Sequence, residues 1–183
     1  MSGSLLLWGM LALCVFWGVG LHNRLMRLRA RGVSALGSVE KHMRVYAELL
    51  RHDLASATEV QDAKPAPDAP PDDWSGLRSA LQVFEEALNA IHARSLPTET
   101  LAHLGQCFDA VQIAWRSLTD VPPDLAGPVV PLTMRTQWDT VTQRVETSRG
   151  GFNQILIQYN DALSQFPARL VAGWMGFKPC ATI

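Results

Sequence analysis

The chain opens on a stretch with no polar rhythm and then settles into one that keeps the helical period to its end. Leu5 to Leu21 are almost wholly apolar, and the first 21 residues carry no charged side chain. From Leu25 onward, apolar residues fall at 25, 28, 36, 39, 43, 46 and 50, mostly at three- and four-residue spacings. A second stripe runs through Trp74, Leu77, Leu81, Phe84, Leu88 and Ile91, and a third through Leu101, Leu104, Phe108, Val111, Trp115 and Leu118. The fourth is the longest: Met134, Trp138, Val141, Val145, Phe152, Leu156, Tyr159, Leu163 and Phe166. Such spacing lays one apolar stripe along a helix. No segment alternates with period two for long, so the fold class expected is all-α.

Proline sets the boundaries. "DAKPAPDAPPDD", residues 62–73, holds four prolines and reads as an extended linker, with Asp72 and Asp73 offering N-caps to the second helix. "SLPTE" breaks the phase between the second and third stripes, with Pro97 suited to a first helical position, and "DVPPDLAGPVVP" at 120–131 is a second proline-rich break. Helices with one apolar stripe must bury it against each other, most simply as an antiparallel four-helix bundle with long helices. The organisation expected is a transmembrane anchor at 1–21, a long first bundle helix at 22–61 continuing from it, the linker at 62–73, the remainder of the bundle at 74–177 and a tail at 178–183. The apolar residues near the end, Trp174, Met175 and Phe177, are placed to cap the bundle or to touch a membrane or partner.

As a helix, Leu5–Leu21 would be about 26 Å long at roughly 1.5 Å per residue, and with Ser2–Ser4 it just spans a hydrocarbon core of about 30 Å. A cleaved signal peptide would want a basic n-region and a small-x-small site, and neither is present. "LALC" ending at Cys14 is superficially a lipobox, but Leu13 stands where a small residue belongs and the apolar run continues past it. An uncleaved single-pass anchor fits best. Arg24, Arg27, Arg29 and Arg31 follow it closely, and the first acidic residue is Glu40. Positive charge stays on the cytoplasmic side, so the N-terminus is expected outside and the domain after His22 in the cytoplasm. The four arginines are also placed to touch anionic head groups.

The richest stretch is "SRGGFNQILIQYNDALSQFP", residues 148–167. On a helical wheel Phe152, Tyr159 and Phe166 drift only about 20° per heptad. Arg149, Asn153 and Asn160 form a polar seam along one edge of that face. Half-buried asparagines need partners, and they commonly tie a neighbouring loop or fix bundle register. Gly150 and Gly151 cost roughly 1 kcal/mol each in mid-helix, which a close backbone approach or a local bend would offset.

The pattern R-x-x-F-N-x-x-x-x-x-Y-N-x-x-x-x-x-F-P-x-x-L-x-A-x-x-x-G-F from Arg149 to Phe177 resembles the C-terminal signature of the LemA family, with its R-x-x-Y-N, Y-N, F-P and G-F elements at the same spacings. "VPPDLAG" resembles the family's Y-P-D-L element, and the anchor followed by "HNRLMRLRARGVSALGSVEKHMRVYAELL" is similar to its entry into a long helix. Phe152 replaces the usual tyrosine, Thr142 stands where the family tends to have glutamate, Arg51 takes a proline position, and the linker at 62–73 interrupts a helix that is usually continuous. The resemblance implies a helical bundle on a membrane anchor, and a family seam made of Arg149, Asn153, Tyr159, Asn160, Phe166 and Pro167. It implies no defined reaction.

Composition changes this picture little. The net charge of −1 and the absence of an aromatic platform beside the arginines argue against nucleic acid. Cys14, Cys107 and Cys180 are odd in number and far apart, which fits neither a disulfide framework nor a zinc site. His103 and Cys107 share a helix face but lack a third ligand, and no phosphate-loop, zincin, nucleophile-elbow or di-iron motif occurs. No catalytic, cofactor or metal residues are assigned, and the chain is expected not to be an enzyme. It is expected instead to be a scaffold or adaptor in a bacterial inner membrane, partnering other membrane or envelope proteins, with a homo-oligomer compatible. The rival expectation is a membrane-shaping or anionic-lipid-binding protein.

Overall fold

In the computed structural model the described residues are 2–62, 74–91, 98–120, 130–165, 168–169, 173 and 176–183. They form four helices: α1 Ser2–Asp62, α2 Ser75–Ala90, α3 Thr98–Thr119 and α4 Leu132–Ser164. No strand occurs among the described residues. The four apolar stripes became four helices because each stripe had a facing stripe to bury against.

The side-chain pairs give the topology. Arg44 reaches Asn89 and Arg51 reaches Glu85, so α2 runs opposite to α1. Gln112 meets Glu146 and Arg149 meets Asp109, so α4 runs opposite to α3. Tyr46 packs on Trp138, and Leu25 clusters with Tyr159, so α4 also runs opposite to α1. The bundle is therefore up-down-up-down, the arrangement that short connections favour.

Its centre is one aromatic from each helix. The Tyr46 ring lies 6.0 Å from Phe84, 5.2 Å from Phe108 and 4.8 Å from Trp138, and Trp115 stacks on Trp138 at 4.0 Å and 10°. Each such pair adds about 0.5–1.5 kcal/mol beyond its area burial. Every residue of the predicted second and third stripes is buried, as are Leu25, Leu36, Val39, Met43, Tyr46 and Leu50 of the first. In α4, Trp138, Val145, Phe152, Leu156, Tyr159 and Leu163 are buried, while Met134 and Val141 pack only partly. A smaller second cluster joins Leu21, Leu25, Tyr159, Ala162, Leu163 and Ala168 at the end of the bundle nearest the anchor.

α1 is a single element of 61 residues, about 90 Å long. Gly32 and Gly37 do not interrupt it; Gly32 is buried and Gly37 faces open space. Its N-terminal part is long and apolar enough to cross a membrane, and none of that apolar window is buried. Leu6, Leu7, Met10, Leu13 and Phe16 are each more than two-thirds exposed, which is consistent with membrane anchoring.

Three expectations are adjusted. α4 stops at Ser164, with Gln165 already extended, slightly before Phe166. α2 begins after Trp74 with no side-chain cap; Asp72, Asp73 and Pro97 lie outside the described residues, as do Trp174 and Met175. Gly150 and Gly151 have nothing within 4 Å of where a Cβ would stand, so no backbone approaches them closely.

Candidate functional site

The polar seam of α4 holds the chain's own tail. Asn153 takes both main-chain groups of one residue: Ile183 N–H donates to its Oδ1 at 2.9 Å, and its Nδ2 donates to the Ile183 carbonyl oxygen at 2.7 Å. Asn160 does the same to Cys180, accepting from its N–H at 3.0 Å and donating to its carbonyl at 2.8 Å. Between them, the Tyr159 hydroxyl donates to the Lys178 carbonyl at 3.2 Å. On α3, Thr98 Oγ1 donates to the Pro179 carbonyl at 3.3 Å.

This register explains the asparagine spacing. Seven residues of helix rise about 10.5 Å and return the side chain to nearly the same face. Three residues of extended chain cover about 9–10 Å, and a chain winding three residues per turn presents the same side every third residue. Residues 153 and 160 therefore match 183 and 180 in antiparallel register, with an amide clamp at every third residue of the tail. An asparagine side chain carries one acceptor and two donors, so it can satisfy an N–H and a carbonyl together.

Arg149 closes the end of the seam. Its Nε donates to the Ile183 carbonyl at 2.7 Å, its guanidinium meets Asp109 at 2.8 Å and Glu146 at 3.7 Å, and its plane sits 5.7 Å from the Phe108 ring. Only 17% of its side chain is exposed, a placement that suits the planar, weakly hydrated guanidinium better than an ammonium. The Ile183 side chain is buried against Gly105, where an added Cβ would stand 3.1 Å from the Ile183 carbonyl carbon and 3.2 Å from its Cγ2. The close approach expected at Gly150 and Gly151 is thus found at Gly105 of α3.

Of the seam residues expected from the sequence, Arg149, Asn153, Tyr159 and Asn160 come together around the tail, and Phe166 and Pro167 lie outside the described residues. Thr98, Gly105, Asp109, Cys180 and Ile183 were missed. Only Gly105, a glycine inside an apolar stripe, carried any signal. Burial pushes the Tyr159 hydroxyl and the Cys180 thiol above their ordinary pKa values; Cys180 adds to the rise at Tyr159, and Arg29 partly offsets both. Cys107 Sγ is 3.6 Å from His103 Nε2, burial raises its pKa, and no group of three His, Cys, Asp or Glu side chains that could hold a metal occurs among the described residues.

The basic cluster splits in two. Arg24, Arg27 and Arg31 line a groove between α1 and α4, opposite Gln158, Asp161 and Gln165. Arg29 lies round the helix from them, near Tyr159 and Cys180.

Fold and seam together define a helical bundle on a membrane-compatible rod, fastened by its own extended tail. The chain belongs to the LemA family, whose profile matches residues 80–182, from within α2 through the seam to the last residue but one. The match takes in both tail-holding asparagines and Arg149 but leaves out α1. No curated protein and no solved structure matches the chain.

Proposed function

We propose that this chain is a membrane-anchored, non-enzymatic adaptor that recognises other membrane or envelope proteins as extended polypeptide. The observation that carries this reading is the pairing of Asn153 and Asn160 with both main-chain groups of Ile183 and Cys180. Such contacts read peptide bonds and ignore most side chains, so the chemistry they recognise is a polypeptide. The tail is the resident occupant, and a partner's extended segment enters by replacing it. The anchor crosses a bacterial inner membrane once, with its N-terminus outside, and Arg24, Arg27, Arg29 and Arg31 keep the bundle on the cytoplasmic side.

The test uses the detergent-solubilised chain ending at Phe177 and a synthetic peptide of residues 178–183. Binding in trans, lost in Asn153→Leu/Asn160→Leu, supports recognition of extended chain. If the shortened protein keeps its helical signal and melting temperature but takes up no peptide, the seam is only intramolecular glue and the adaptor reading fails. A compartment-sensitive reporter fused after Ile183 tests topology separately; a reporter active outside the cell membrane overturns the cytoplasmic placement.

A further inference from the structure

The groove lined by Arg24, Arg27 and Arg31 has no part in holding the tail. These residues stand at i, i+3 and i+7, so on a helix they lie within about 60° of one another, and Arg29 is roughly 140–160° away. Elsewhere Arg44, Arg51 and Arg149 each meet a carboxylate. Among the described residues, Arg24 and Arg31 have no ion pair and Arg27 donates to the Asn23 carbonyl of its own helix at 3.3 Å. Three cations on one face with a single carboxylate opposite them, among the described residues, cost electrostatic energy unless an anion from outside the chain completes them.

The opposite wall belongs to α4. Gln158 and Gln165 supply amide donors and acceptors, Asp161 a single carboxylate, and Leu28 and Ala162 form an apolar floor. The cavity measures about 540 Å³, within the range of small-ligand clefts. Three positive charges against one negative leave the groove cationic. Its height is equally specific. Counting from Leu21, the end of the apolar run, Arg24 stands about 4.5 Å up, Arg27 about 9 Å and Arg31 about 15 Å. The polar zone of one leaflet adds roughly 5–8 Å to the hydrocarbon core, so Arg24 lies within it, Arg27 at its outer edge and Arg31 about 7–10 Å beyond.

We propose that this groove is a binding site for the phosphate of an anionic phospholipid head group. The arginines take the phosphate oxygens, Arg31 engages a further anionic or hydroxyl group that stands out from the bilayer, and Asp161 accepts a hydroxyl donor from the head group. The acyl chains lie along the exposed apolar face of α1, where Trp17 and Val19 face outward. Basic clefts just past a membrane helix bind anionic lipid in this way. The proposal is independent of the adaptor reading, because no tail-holding residue lines the groove.

The full chain in a neutral detergent is titrated with fluorescent phosphatidylglycerol, and with phosphatidylcholine of the same acyl chains. The site predicts a clear preference for phosphatidylglycerol that weakens with salt. At about five-fold per arginine, Arg24→Gln/Arg27→Gln/Arg31→Gln should lose roughly 100-fold in affinity, while Arg29→Gln changes it less than two-fold. Equal loss in Arg29→Gln and in single groove variants would show a diffuse surface charge and overturn the site. So would an unaffected triple variant with an unchanged helical signal. Inorganic phosphate and glycerol phosphate form a further arm: displacement of the lipid at sub-millimolar concentration would make this a soluble-phosphate site and overturn the lipid assignment, whereas no displacement supports it.

Discussion

Replacing Asn153 by leucine should free the tail without unfolding the bundle. The variant loses two hydrogen bonds, to the N–H and the carbonyl of Ile183. Arg149 still serves the carbonyl, but the Ile183 N–H loses its partner. A neutral hydrogen bond contributes about 0.5–1.5 kcal/mol net, so the docked tail should weaken by about 2 kcal/mol. Leucine matches asparagine in size and helix propensity well enough that α4 itself should not suffer.

Hydrogen exchange reads this directly. The Ile183 and Cys180 amides donate to the Asn153 and Asn160 side chains, so their exchange reports local opening of the tail and not global unfolding. A loss of about 2 kcal/mol corresponds to exchange roughly 30-fold faster in the peptide spanning 178–183, followed by mass spectrometry. Core peptides through Phe108 and Trp138 should exchange as in the parent. Two results would refute the reasoning: unchanged exchange at 178–183, meaning that the asparagine does not hold the tail, or equal acceleration throughout α3 and α4, meaning that the tail and bundle open as one unit.

The same geometry sets four further outcomes. Gly150→Ala should raise stability by about 0.5–1 kcal/mol in chemical denaturation, since Gly150 is exposed within α4 with open space around its Cα. Gly105→Ala gains a similar helix term but pushes on Ile183, so melting should hold or rise while exchange at 178–183 quickens. Tyr46→Phe should be neutral to about 1 kcal/mol stabilising by thermal melting, because the Tyr46 hydroxyl and Thr142 Oγ1 are both buried without hydrogen-bond geometry, and burial pushes the phenol far above its ordinary pKa. Burial also raises the Cys107 thiol, so its thiolate is scarcer at pH 8 than that of a free cysteine, and alkylation should be slower there and still rising above pH 9.

The helices were legible because burial and period coincide. Phe84, Phe108 and Trp138 were each readable as stripe residues from their own neighbours, and each reached the Tyr46 ring at the centre. The seam was legible as an edge, since two asparagines beside an aromatic face demand partners. What they held was not legible. The tail from Lys178 to Ile183 has no apolar period, and its docking depends on a match between seven helical residues and three extended ones that no local pattern announces. The mid-helix glycines were misread for a related reason. A glycine signals that something could come close, and only the packed structure shows that Ile183 comes to Gly105 while Gly150 and Gly151 face open space.

The last three turns of α4 carry two different polar edges on one rod. Asn153 and Asn160 lie on one edge of the buried face, and Gln158, Asp161 and Gln165 lie on the far side of the helix, toward α1. Between them, Tyr159, Ala162 and Leu163 pack on Leu21 and Leu25 at the root of the anchor. Because the edges differ, Asn153→Leu should leave lipid affinity unchanged, and the triple arginine variant should leave tail exchange unchanged. Arg29 lies outside the groove, so its loss should leave lipid affinity nearly unchanged. A tail that quickened on loss of Arg24, Arg27 and Arg31 would mean that the two edges communicate through the cluster at the anchor root and do not act separately.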